Sequence, residues 1–426
     1  MTVPFINRVY LYASSLIPPL LFYLFTEIYT TQSDTLLVLI NILQFLLPLI
    51  HDGSGTLVDN AYNAVMGMVL GISMSFYIQE RRRLKQSNQP INRLAPFYHV
   101  LSRWNDDHYE VKMKNEKNMD NEKEKDTDMN DGDDKPESIN KMSTQSTYWL
   151  IKALFYMALT VPVMSFFDGI LRTCQLPPHA STLSFWAQFP MPWITLVQYF
   201  IVGFTLFLHV GIVDVIYRLL ITLRLKAINL YVNYYSPVDI KLLNIYYKDT
   251  QHILSQPFIF NHPWFSHSIY DLWSRRWHQI FRPGFSKLFF FPVLHMFPPQ
   301  STLGRILASM AVFLGSGLFH DYILTAMMGY SNINRFPGIL GQQTIFFLLQ
   351  GIATVVSAPK TPWSYYINDY IPLWLSRIMV YAWLLITAPL FVIPYLLIGL
   401  HQEAEVPFYP RSFDPFIANY CPYGHF

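Results

Sequence analysis

The chain has 426 residues, of which 52% are hydrophobic, 17% aromatic and only 14% charged. Soluble domains carry about 25% charged residues, so the deficit excludes an ordinary soluble protein and points to the membrane. A net charge of +2 gives no electrostatic footprint for nucleic acid, and two cysteines, Cys174 and Cys421, make neither a disulfide framework nor a zinc site.

In chain order, apolar segments run over Val9–Thr26, Thr35–Ile50, Ala61–Ile78, Tyr148–Phe167, Trp193–Val213, Ile306–Met328, Ile339–Val356 and Ile378–Leu400. A bilayer-crossing helix needs about 20 mostly apolar residues, so this pattern predicts an all-α polytopic membrane protein with roughly eight spans. The second and third segments are short enough to be tilted or re-entrant. Phe285–Phe297 is shorter still and reads as re-entrant or interfacial. No small-residue cleavage site follows the first segment, which is expected to be an anchor that is kept.

Charge sets the orientation. The run Glu80-Arg-Arg-Arg-Leu-Lys85 follows the third span, and the connection between the fifth and sixth spans holds Arg218, Arg224, Lys226, Arg275, Arg276, Arg282 and Lys287. The positive-inside rule puts both on the cytosolic side and the N-terminus in the lumen. Val111–Lys141 is rich in Asn, Asp, Glu and Lys and has no aromatic residue, so it is expected to be a disordered cytosolic loop. The chain divides accordingly into N-terminal spans (1–110), this loop (111–141) and a membrane-embedded core (142–426). No internal repeat marks an inverted-repeat transporter.

Two constellations carry chemistry. In LGSGLFHDYIL, His320 stands in the middle of the sixth span, where an ionisable group is costly and faces a cavity or a partner. Ser316 and Gly317 lie one turn earlier on the same face and are expected to leave a groove beside the imidazole. Asp321 points about 100° away and reads as a partner for another helix. A histidine merely hydrogen-bonded within a bundle is the competing reading.

The second constellation is DLWSRRWHQIFR, Asp271 to Arg282. On one helix, Trp273, Trp277 and Ile280 share a face, while Arg275, Arg276 and Gln279 cluster elsewhere and His278 lies near the boundary. Such a helix suits the membrane interface, with tryptophan at headgroup depth and arginine reaching phosphate. A simple headgroup anchor is the competing reading.

Taken in order, Trp-x-Arg-Arg-Trp-His (Trp273–His278) and Ser-Gly-x-x-His (Ser316–His320) resemble the membrane-bound O-acyltransferase superfamily, and within it the wax synthase-like branch of plants and fungi. The resemblance is clear over about 263–322. It implies a buried catalytic chamber, with His320 matching the catalytic histidine and His278 a second active-site position that is asparagine in many members. It also implies substrate-binding roles for Trp273, Arg275, Arg276, Trp277, Arg282, Ser316, Gly317 and Asp321, no metal, and acyl-CoA as co-substrate without a further cofactor. Leu272, Trp273 and Ser274 stand where plant members show Phe-Trp-Gly, and fungal sterol and terpenoid acetyltransferase-like relatives resemble the His278 variant too.

Competing motifs are weaker. His262 and His267 fit one H-x4-H spacing, but there is no His-His doublet for a diiron site. His267-Ser-Ile-Tyr-Asp271 spells the H-x3-D of soluble acyltransferases, a short match among 13 histidines. No G-x-S-x-G elbow, P-loop or H-E-x-x-H occurs. The expected function is transfer of an acyl group from acyl-CoA to a hydrophobic alcohol in the endoplasmic reticulum membrane, a long-chain fatty alcohol giving a wax ester. The alternatives are a sterol or terpenoid acceptor, a transporter with a His320/Asp321 proton relay, and a non-catalytic scaffold.

Overall fold

The computed structural model describes residues 5–28, 33–87, 135–174, 193–235, 254, 259–277, 281–336, 338–359, 361, 370–403 and 414–421. Among these, eight long helices and no strand occur: α1 Phe5–Tyr23, α2 Asp34–Ile50, α3 Leu57–Gln86, α4 Lys135–Thr173, α5 Trp193–Tyr235, α6 Thr302–Met328, α7 Gln342–Val356 and α8 Leu373–Leu397. Six carry a stretch long and apolar enough to cross a membrane, while α2 and α7 are apolar but shorter. The eight helices coincide with the eight expected spans.

Boundaries differ in three places. The third span is not short, because α3 runs for 30 residues. Its C-terminal end continues as a charged helix in which Arg81 and Lys85 meet Asp34 of α2 at 3.0 and 2.8 Å. α5 continues well past Val213, since Asp214 and Arg218 pair across one turn at 3.2 Å and satisfy each other inside the helix. α4 begins at Lys135, inside the segment expected to be disordered. Residues 111–134 of that segment lie outside the described residues.

The described residues fall into two compact units. One contains α4, α5 and the C-terminal turn Asp414–Ala418. Met164, Leu208 and Ile212 form its core, and Arg172 meets Asp414 at 3.3 Å. Cys174 and Cys421 are joined by a disulfide across 247 residues, so the reading that gave the two cysteines no structural part is corrected. Two cysteines that far apart in the chain carry no spacing signal.

The other unit contains α1–α3, α6–α8 and the interfacial segment from Trp264. Ser33, Thr56 and Ser301 cap α2, α3 and α6, each hydroxyl accepting from the backbone N–H three residues on. Without water in the bilayer, helices associate by close packing at small residues. Gly317 shows this: a methyl group there would sit 2.5 Å from the Thr344 Cα of α7. Deep polar groups in α1–α3 meet one another. Arg8, Tyr12 and Thr56 converge on Asp59, Ser15 donates to Asn63, and Ser14 lies 2.8 Å from His51.

Candidate active site

α6 carries His320 about two thirds of the way along its length, half-buried. The imidazole is walled by aromatic rings from α7 and α8. Phe347 stacks on it at 4.8 Å and 17°, and Phe391 meets it edge-on at 5.2 Å. The Tyr395 hydroxyl lies 3.4 Å from Nδ1, a long contact that orients the ring. Two prolines, Pro389 and Pro394, interrupt α8 beside Phe391 and Tyr395, where a helix kink is expected.

Asp321 has a definite structural task. α7 starts at Gly341, which has φ +84° and no side chain to cap the helix. Asp321 supplies the missing cap from α6: it accepts from Gly341 N at 3.1 Å, Thr344 N at 3.3 Å and the Thr344 hydroxyl at 2.6 Å. A carboxylate is favoured there by both the orphan N–H groups and the helix dipole. Asp321 thus partners a neighbouring helix as its direction on α6 suggested, and since α7 carries Phe347, the cap fixes the ring that stacks on His320. Gly317 is corrected. The groove expected beside the imidazole is not open at this position, because α7 fills it. Ser316 is likewise buried between helices.

The interfacial constellation is not one amphipathic helix. A single turn, Ile269–Asp271, leads into a wide turn of π-helical geometry, Leu272–Arg276, and the backbone becomes extended at Trp277. The wide turn closes with Trp277 N on the Leu272 carbonyl at 2.8 Å. Trp273 and Trp277 still touch, ring centres 5.8 Å apart. His278, Gln279 and Ile280 lie outside the described residues.

The arginines separate in role. Asp271 is buried, and its Oδ2 takes Arg276 Nε at 2.7 Å and His267 Nδ1 at 3.0 Å. The H-x3-D pair therefore exists, as a brace shared with Arg276. Removing one partner of a buried charge leaves the other uncompensated, so Arg276 is tied to the fold. Arg275 is exposed, with its guanidinium 5.9 Å over the Tyr270 ring. Arg282 is exposed as well, donating from Nη1 to the Ser274 carbonyl at 3.0 Å.

The two constellations meet through one residue that sequence reading passed over. The Trp273 ring lies 5.9 Å from Phe347, on which His320 stacks, and 6.2 Å from Phe313. Also missed were Phe391, Tyr395 and the glutamines of α7. Gln343 and Gln350 are completely buried in an apolar helix. A carboxamide inside a span marks a helix–helix contact, and that signal was available in the sequence.

Residues 256–349 match the family model described as the membrane bound O-acyl transferase family. The chain is similar to the probable long-chain-alcohol O-fatty-acyltransferase 8 of Arabidopsis thaliana, 32% identical over 137 residues, which is 30% of this chain and 36% of that protein. The aligned stretch thus spans about a third of the relative's length. Both constellations fall within the matched segment.

Proposed function

We propose that the chain is a membrane-embedded, acyl-CoA-dependent O-acyltransferase acting on a hydrophobic alcohol, with a long-chain fatty alcohol as acceptor and a wax ester as product. The observation that carries this reading is the contact chain Trp273–Phe347–His320, which brings an intramembrane base to an interfacial segment bearing exposed arginines. The similarity to a probable fatty-alcohol acyltransferase supports the acceptor class.

The chemistry assigned to these residues balances. His320 takes the hydroxyl proton as the alcohol oxygen attacks the thioester carbonyl. With Nδ1 turned to Tyr395, Nε2 is the nitrogen we assign to that transfer. The tetrahedral oxyanion, which requires a donor, collapses to the ester as the C–S bond breaks. The departing thiolate leaves as free CoA thiol, taking the proton held by His320. His278 is assigned the oxyanion donor. Arg275 and Arg282 are assigned to the CoA phosphates, a charge-assisted contact that exposed guanidinium groups at an interface favour. Arg276 is not, since Asp271 holds it.

We assign the chain to the endoplasmic reticulum with the arginine segment facing the cytosol. In the span count, Cys174 follows the fourth span and Cys421 the eighth, so both fall on the lumenal side. A disulfide there agrees with an oxidising lumen.

Microsomes containing the chain, supplied with labelled acyl-CoA of several lengths and a panel of alcohols, test the reading. Fatty-alcohol esters are expected. Esters of sterols or terpenoid alcohols alone would shift the acceptor class toward the variant that His278 in place of asparagine suggests, and no ester from any pair would defeat the proposal.

A further inference from the structure

α7 holds a second polar group whose position the chemistry above does not use. Gln350 is completely buried, in a helix otherwise built of apolar and small residues. An amide in that setting must find its hydrogen bonds within the protein. Its Oε1 accepts from two indoles at once, Trp273 Nε1 at 3.3 Å and Trp383 Nε1 at 3.1 Å, and its Nε2 donates to the Thr387 hydroxyl at 2.9 Å. A carbonyl oxygen has two lone pairs, so its acceptor capacity is filled. Gln343, two turns earlier on the same buried stripe, shows the contrast: its Nε2 donates to the Phe391 carbonyl, while its Oε1 meets no donor among the described residues.

The bond to Trp273 is the informative one. Indole N–H is a donor only, and burying it unpaired is unfavourable. Trp273 therefore cannot slide along α7 without losing its partner. A second tether lies about two turns further on, where Tyr270 N donates to the Ser357 hydroxyl at 3.0 Å. Ile269 and Leu272 pack on Val380 of α8 between the two. Together these fix both the depth and the rotation of the segment Ile269–Trp277 on α7 and α8, with Arg275 at its exposed edge and the Trp273 ring against Phe347.

We propose that Gln350 is a positioning residue for the acyl donor: it holds the arginine-bearing segment in register with His320 by binding Trp273. The donor role rests on the acyltransferase reading, whereas the tether itself does not.

The test uses the full chain in microsomes or nanodiscs with Gln350→Leu, Gln350→Glu and Trp273→Phe. Leucine keeps the volume and removes every hydrogen bond. A buried glutamic acid is held protonated by desolvation, so it still accepts through its carbonyl and donates to Thr387. Phenylalanine at 273 keeps an aromatic ring in the cluster and removes the N–H together with part of the indole's volume.

The KM for acyl-CoA is expected to rise a few-fold in Gln350→Leu and in Trp273→Phe, with the KM for the alcohol unchanged and Gln350→Glu close to wild type. A merely structural role would lower the amount of folded enzyme and move neither KM. Hydrogen exchange supplies a readout independent of turnover. Amides of 269–277 are expected to exchange faster in Gln350→Leu, with those of α3 and α6 unchanged, and Gln350→Glu is expected to restore protection.

Unchanged exchange over 269–277 in both Gln350→Leu and Trp273→Phe would overturn the tether. Changed exchange with an unchanged acyl-CoA KM would overturn the donor role. A wild-type protein that transfers nothing would defeat the acyltransferase reading, and the exchange arm would still decide the tether. Should Gln350→Leu fail to accumulate, Trp273→Phe decides both questions.

Discussion

Two histidine environments in the same unit contrast sharply. His51, just after α2, has its Nε2 2.8 Å from the Ser14 hydroxyl and an edge contact with Tyr10. It belongs to a set of polar groups in α1–α3 that satisfy one another, Asp59 taking Arg8, Tyr12 and Thr56. His320 is instead enclosed by Phe319, Phe347 and Phe391, with the Tyr395 hydroxyl 3.4 Å from its Nδ1. Polar saturation builds a bundle. An aromatic wall holds an imidazole in place by packing its ring faces and edges.

The comparison breaks most directly at the histidines themselves. His320→Ala is expected to lose about 10²–10⁴ in kcat while the protein still accumulates in membranes. His51→Ala is expected to keep turnover per folded molecule and to lower thermal stability, since it leaves Ser14 with the Leu11 carbonyl alone. Transfer assays at matched protein level and a melting curve for each variant decide it. Turnover surviving in His320→Ala, or lost in His51→Ala at equal stability, would reverse the contrast.

Packing around the wall gives the next effect. Gly317→Ala places a methyl group 2.5 Å from the backbone of Thr344, which has no flexible end to yield. α7 must move, at about 1–3 kcal/mol by the scale of overpacked cores. Both Tm and kcat are expected to fall together, because α7 carries Phe347. A Tm equal to wild type would show that the helices are less closely apposed than this geometry requires.

Much of this was legible in the sequence, and the failures are instructive. All eight helices followed from hydropathy, and both motifs followed from residue type and order. Helix ends did not, because charged residues that pair across a turn, such as Asp214 with Arg218, continue a helix past its apolar part. Gly317 was read as room for substrate, yet a small residue in a span is as well explained by a neighbouring helix, and only coordinates show which one fills the space. The cap made by Asp321 was half legible: its direction away from His320 followed from 100° per residue, but its partner 20 residues on did not. The bond between Trp273 and Gln350 spans 77 residues and has no local signature at all.

The cap predicts a graded series. Asp321→Ala removes the acceptor for two backbone N–H groups and one hydroxyl, and caps of this kind contribute about 0.5–2 kcal/mol. Asp321→Asn keeps one carbonyl oxygen and should fall between alanine and wild type in Tm. If a proton relay through Asp321 operated instead, Asn and Ala would be equally inactive at unchanged Tm.

The smallest effect separates the two neighbouring arginines, and burial decides its size. Arg276 faces a buried carboxylate, so Arg276→Gln is expected to reduce the amount of folded enzyme and leave the KM for acyl-CoA alone. Arg275 is exposed, and a phosphate contact made there is screened by water and salt; exposed ion pairs contribute only about 0.2–1 kcal/mol. Arg275→Gln should therefore raise the acyl-CoA KM only a few-fold, with kcat unchanged, because the contact is equal in ground and transition states. Salt supplies the sharper criterion. The difference between wild type and Arg275→Gln should shrink as ionic strength rises and the Debye length falls below about 10 Å. Measuring acyl-CoA KM for both variants across a salt series settles the assignment. A salt-dependent KM change in Arg276→Gln but not in Arg275→Gln would mean that Asp271 releases its arginine to the substrate, and that the exposed guanidinium serves the membrane surface instead.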